Sequence, residues 1–117
     1  MRKALIVLAL TSTMLVGTTA AFAAIATDLS IRYNATTERF HGQVSSSDSD
    51  CEAGRTVKVF KKTANGPVLQ GKSVSTGTGA WRVTVMHASG HYFARTPEHQ
   101  GMHGVCEAAR SKTVDVM

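Results

Sequence analysis

Beyond residue 24 the chain alternates apolar and polar positions, and no stretch there keeps a sustained 3.6-residue apolar period. Leu29, Ile31 and Tyr33 alternate with Ser30 and Arg32, and Phe40, Gly42 and Val44 with His41, Gln43 and Ser45. Val57 and Val59 flank Lys58, after which Phe60 falls on the other face. Trp81, Val83 and Val85 alternate with Arg82, Thr84 and Met86. Tyr92 and Ala94 face one way, and His91, Phe93 and Arg95 the other. Val114 and Val116 close the pattern. A period of two puts one face on a core and one toward water, as in half-buried β-strands. The pattern predicts strands near 28–34, 38–46, 55–62, 67–75, 80–86, 91–96 and 111–117.

Turn chemistry separates these runs. Ser45 to Asp50 is a connector without an apolar residue. Asn65-Gly66 is a hairpin signal, because both residues tolerate positive φ. Thr76-Gly77-Thr78-Gly79 and Ala88-Ser89-Gly90 mark two further turns. The four middle strands read as a meander. The whole predicts an all-β fold, a single antiparallel β-sandwich of about seven strands over residues 24–117. Pro97 to Ser111, interrupted by Gly101 and Gly104, reads as a long loop with one helical turn near Glu107–Arg110. As the longest segment without strand character, it is where function is most expected.

The first residues follow a different rule. Met1-Arg2-Lys3 is a basic start, Ala4 to Leu10 is an unbroken apolar run, and Ala21-Phe22-Ala23 places small residues at a cleavage site. Together they predict a bacterial-type signal peptide over residues 1–23, cut between Ala23 and Ala24. Thr11, Ser12, Thr13, Thr18 and Thr19 dilute the apolar stretch, and no basic stop-transfer cluster follows it, which argues against an uncleaved anchor. The expected product is secreted or extracytoplasmic, with no stable membrane insertion after cleavage.

Charge narrows the partners. The 117-residue chain carries a net charge of +5, and loss of Arg2 and Lys3 lowers it to +3. The remaining basic residues are scattered in sequence, with no dense cluster interleaved with aromatics of the kind a nucleic-acid groove wants. The expected partner is a protein or a component of the cell envelope, not nucleic acid. Cys51 and Cys106 both lie in the exported part, and an even count in an oxidising compartment reads as a disulfide. Two free buried thiols are the competing reading.

Several segments, taken in order, resemble the carboxypeptidase regulatory-like, or transthyretin-like (prealbumin-like), β-sandwich domains. Phe40-His41-Gly42-Gln43-Val44 resembles their opening G-x-V strand, and Gly54-Arg55-Thr56-Val57-Lys58-Val59-Phe60 their second strand. Thr76-Gly77-Thr78-Gly79-Ala80-Trp81 is similar to the T-D-x-x-G-x-aromatic turn, with Gly77 in place of the usual Asp, and Gly90-His91-Tyr92 to a later G-x-Y. The resemblance spans residues 38–96. It implies a non-catalytic accessory, structural or ligand-contacting module, and it carries over no catalytic residue. The cysteine pair lies outside that pattern.

Candidate chemistry is sparse. His99 and His103 are four apart, and with Cys51 and Cys106 they could form a Cys₂His₂ set, but Gly101 lies between them and the compartment favours a disulfide. Asp48, Asp50 and Glu52 form an acidic patch in which a weak calcium site competes with an ordinary solvated loop. No serine sits in a G-x-S-x-G elbow. Asn34-Ala35-Thr36 matches a glycosylation sequon, which the bacterial-type signal peptide makes a coincidence. Neither an enzyme nor a cofactor or metal is expected. The leading reading is a non-catalytic secreted or envelope-associated structural or interaction module. The alternative is a carbohydrate or small-ligand binding domain, for which an exposed Trp81 beside Tyr92 or Phe93 would serve as a stacking platform.

Overall fold

In a computed structural model, residues 24–117 are described. The predicted signal peptide and Ala23 lie outside them, and Ala24 is exposed at their start. The described part is all-β. Strands β1 (Thr27–Leu29), β2 (Arg32–Asn34) and β3 (Arg39–Ser46) are followed by a 3₁₀ turn at Ser49–Cys51. Then come β4 (Thr56–Thr63), β5 (Gly66–Val74), β6 (Ala80–Thr84) and β7 (Gly90–Thr96). The short strands β8 (His99–Gly101), β9 (Gly104–Cys106), β10 (Ala109–Arg110) and β11 (Val114–Val116) complete the chain.

Among the described residues the named strands pair antiparallel, in three sheets, and one isolated parallel bridge joins Ile25 to Cys106. One sheet runs β10-β7-β4-β5, with β11 also on β7; a second joins β1, β2 and β6 to β3; a third is the β8–β9 hairpin. The middle strands are therefore not a meander. β4 and β5 form a hairpin, β6 crosses to the second sheet to pair with β3, and β7 returns to the far side of β4. The crossing is made at Thr76–Gly79. Gly79 has φ +90°, and a Cβ there would collide with the Val44 carbonyl oxygen, so only glycine lets the turn close against β3.

Side chains from the two larger sheets meet in one buried cluster. Leu29, Phe40, Val44, Trp81 and Val83 come from one sheet, and Val57, Val59, Tyr92 and Ala94 from the other. Phe40 links Tyr33 and Tyr92, with ring centroids 4.8 and 4.7 Å apart. The inward set is the one the alternation predicted.

The segment predicted as one strand over 28–34 is split by its own serine. Ser30 Oγ accepts the Gln43 N–H at 2.9 Å, a bond that a regular ladder would give to the backbone carbonyl. The Ser30 carbonyl oxygen is turned instead against Gly42, where any Cβ would strike it.

The predicted loop at Pro97–Ser111 is the larger correction. It holds β8, β9 and β10 and no helical turn at Glu107–Arg110. Strands of two or three residues, with glycines at the hairpin turn, are too short to show alternation.

Candidate functional site

The basic residues that are scattered in sequence are gathered by strand pairing. In β4, Lys58 and Phe60 point away from the core, and Arg95 and Phe93 do so in β7. Register places Lys58 opposite both Arg95 and Lys72, and Arg95 opposite Arg110. Lys72, Lys58, Arg95 and Arg110 thus form one row across four adjacent strands, on a single face of the sheet. Adjacent strands lie about 4.8 Å apart, so the row extends over about 14 Å.

Beneath it lies an aromatic floor. Phe60 and Phe93 are opposite each other and stacked, with centroids 5.5 Å apart and planes at 19°. The Arg110 guanidinium carbon sits 3.9 Å from the Phe93 centroid, and that of Arg95 sits 5.0 Å from Phe60 and 5.6 Å from Phe93. Lys62 adds its ammonium 5.9 Å from Phe93. Phe93 is fully covered on this outward face. Each ring attracts cations through its quadrupole, and the planar arginines are held against it.

This face has little negative charge to offset it. Asp115 is its acid, and it pairs with His91, which it faces across β11 and β7. Among the described residues no lysine or arginine nitrogen lies within 4.0 Å of a carboxylate oxygen; the ion pairs present are all made by histidine. Like charges directly opposite in a sheet destabilise it. The absence of a dense basic-aromatic cluster, read from the linear sequence, is overturned by the fold. Its only linear trace was the outward spacing Lys58-x-Phe60-x-Lys62 and Phe93-x-Arg95.

Cys51 and Cys106 are joined by a disulfide, with Cα atoms 5.4 Å apart and both residues fully buried. It ties the 3₁₀ turn to the β8–β9 hairpin and leaves no thiolate for a Cys₂His₂ site. Next to it lies a residue whose role the sequence hid. Arg55 is 1 % exposed and has no carboxylate partner. Its guanidinium donates to the carbonyls of Cys51, Pro97 and Glu107 at 2.7, 2.9 and 2.9 Å, and to Thr27 Oγ1 at 3.2 Å. Burial lowers its pKa from the ordinary arginine value. One side chain thereby satisfies acceptors from four segments of the chain.

His99 and His103 do not share a site: His99 lies in β8, opposite Cys106, while His103 is in the hairpin turn. His103 Nδ1 lies 2.9 Å from Asp48 Oδ2 and 3.7 Å from Asp50 Oδ2. Ligand atoms of these three residues lie within 4.8 Å of one another, a spacing a divalent cation could span. Asp48 also caps the 3₁₀ turn, accepting the Asp50 N–H at 2.9 Å. That bond, followed by His103, holds its carboxyl below the usual aspartate value despite an opposing desolvation effect. Glu52 stands apart, accepting the Ser46 N–H at 3.0 Å. Asn34 Oδ1 accepts the N–H groups of Thr36 and Thr37.

Neither His91 nor His103 bonds a serine, threonine or cysteine side chain among the described residues. Trp81 is 3 % exposed, so it offers no ring face for stacking a sugar. Among the described residues no helix is long and apolar enough to cross a membrane. Comparison with protein-family models, with curated proteins and with solved structures returned no match.

Proposed function

We propose that this protein is a non-catalytic, exported β-sandwich module that docks on a linear anionic polymer of the cell envelope. The row Lys72–Lys58–Arg95–Arg110 carries the reading. Four adjacent cations cost the free protein stability, and a bound polyanion converts that cost into affinity through charge neutralisation and counterion release. The stacked Phe60 and Phe93 hold the arginine heads in place, so less side-chain freedom is lost on binding. Covered as it is, Phe93 presents no free face to a base, which favours a polymer recognised by its charges over single-stranded nucleic acid.

The buried disulfide and the basic, apolar, A-x-A order of residues 1–23 support export. The shared core of two antiparallel sheets supports the sandwich and the carboxypeptidase regulatory-like resemblance.

Polyphosphate serves as the probe and uncharged dextran as the control. The mature protein should bind polyphosphate, more weakly as salt rises, and should ignore dextran. The variant K58Q/R95Q/R110Q should lose most of this binding while keeping its circular dichroism. Polyphosphate affinity unchanged in that variant would refute the reading.

A further inference from the structure

We propose that Asp48, Asp50 and His103 bind one divalent cation of the zinc class where the β8–β9 hairpin meets the 3₁₀ turn, through residues separate from the Lys58–Arg95 face. The two elements are held side by side. The disulfide joins Cys51, next to Asp50, to Cys106, three residues beyond His103. Gly101 lets them close: a Cβ there would stand 3.2 Å from both Cys106 Sγ and the Gly104 carbonyl oxygen, and 3.8 Å from Asp50 Cβ. The hairpin turn thereby brings His103 to the carboxylates. Its Nδ1 lies 2.9 Å from Asp48 Oδ2 and 3.7 Å from Asp50 Oδ2, and ligand atoms of all three residues lie within 4.8 Å of one another. Around a zinc ion with bonds of about 2.1 Å, tetrahedral ligands stand about 3.4 Å apart, between the two distances to Nδ1.

One atom makes this more than a group of polar side chains. Asp50 Oδ2 is a buried carboxylate oxygen with no hydrogen-bond partner. Its nearest cationic candidate, His103 Nδ1, stands beyond hydrogen-bond reach and serves Asp48 instead. A buried charged oxygen without a donor is costly and rare in native proteins. Among the described residues no lysine or arginine supplies the missing charge to Asp48 or Asp50. Two carboxylates beside one imidazole leave an excess of negative charge, and a divalent cation offsets it while giving Asp50 Oδ2 its partner.

The donor set selects the cation. Calcium takes about six to eight oxygens, whereas an imidazole with two carboxylates suits zinc. Glu52, which would extend an oxygen set, is spent on the Ser46 N–H. Asp48 Oδ1 accepts the Asp50 N–H at 2.9 Å, which fixes the carboxylate with Oδ2 toward His103, as outer hydrogen bonds orient metal ligands. Coordination needs the Nδ1 lone pair, so the proton that Nδ1 offers to Asp48 moves to Nε2 or to solvent. Three protein ligands leave the fourth position to water.

Zinc chloride is the probe. Mature protein freed of metal by a chelator should take up one Zn²⁺ per chain in calorimetry. Imidazole ¹⁵N spectra of the same titration should show His103 Nδ1 losing its proton, while the other four histidines stay still. H103Q, at an exposed position, and D50N should each weaken binding by about 100-fold, the loss expected when a ligand itself is removed. H99Q should bind as the parent does, and calcium chloride at equal concentration should not compete. Circular dichroism and the mass of the intact disulfide show that each variant has folded. No saturable uptake of zinc, equal affinity in H103Q and D50N, a response at another histidine in place of His103, or displacement of zinc by equimolar calcium would overturn the proposal.

Discussion

Replacing Lys58 by glutamine should stabilise the protein, and the effect should vanish in salt. Lys58 lies between Arg95 and Lys72 in the row, so the change removes two like-charge contacts at once. It removes little else, because Lys58 is not among the cations over Phe60 or Phe93 and makes no ion pair among the described residues. For charged heads about 8 Å apart in water, each contact costs about 0.5 kcal/mol, so the pair costs about 1 kcal/mol at very low salt. Screening cuts this to about half at 0.1 M and to about a tenth at 1 M. For a domain of this size about 1 kcal/mol corresponds to a rise in Tm of about 4–8 °C. The assay is thermal unfolding of parent and K58Q in 10 mM, 100 mM and 1 M sodium chloride. A variant less stable than the parent at 10 mM, or a difference that persists at 1 M, would refute the argument that the row is held against its own repulsion. Polyphosphate affinity read on the same samples should move the opposite way, falling as stability rises.

Arg55→Met should cost about 3–5 kcal/mol in urea unfolding, because three carbonyls and Thr27 Oγ1 lose their donor inside the protein. R55K, with charge but no planar fork, should fall between the parent and R55M. Removing the disulfide by C51A/C106A frees a loop with a sequence separation of 55 and should lower stability by about 4 kcal/mol in the chain-entropy account, measured by the same unfolding. A non-reduced protein that shows two free thiols on alkylation would contradict the pairing. Because the folded-state pKa of Asp48 is depressed, its contribution is present above the ordinary aspartate value of 3.8 and is lost as pH falls through the lower folded value. Hydrogen exchange at Asp50 and in the β8–β9 hairpin should accelerate over that acid range, and D48N should show the faster exchange already at neutral pH.

The facing of individual residues was legible in the sequence because a strand's side chains alternate by covalent geometry alone. Tyr92 inward and Phe93 outward, Val57 and Val59 inward and Lys58 outward, needed no knowledge of neighbours. The cysteine pairing was legible for a similar reason: it followed from the even count and from the compartment the first residues led one to expect. What strand lies beside what strand is a non-local choice, settled by which faces bury together and which turns can close. β6 crosses to the second sheet because Gly79 permits a turn against β3, and β7 then returns to pair with the far side of β4, an edge a meander would leave unpaired. Only then do Lys72, Lys58, Arg95 and Arg110, far apart along the chain, become four neighbours in a row. Arg55 shows the same limit within one residue. In sequence it is another surface cation, and only the fold surrounds it with the carbonyls of Cys51, Pro97 and Glu107 and makes it a tie between segments. A side chain's face depends on its own backbone, whereas its neighbours, and so its charge environment, depend on every other strand.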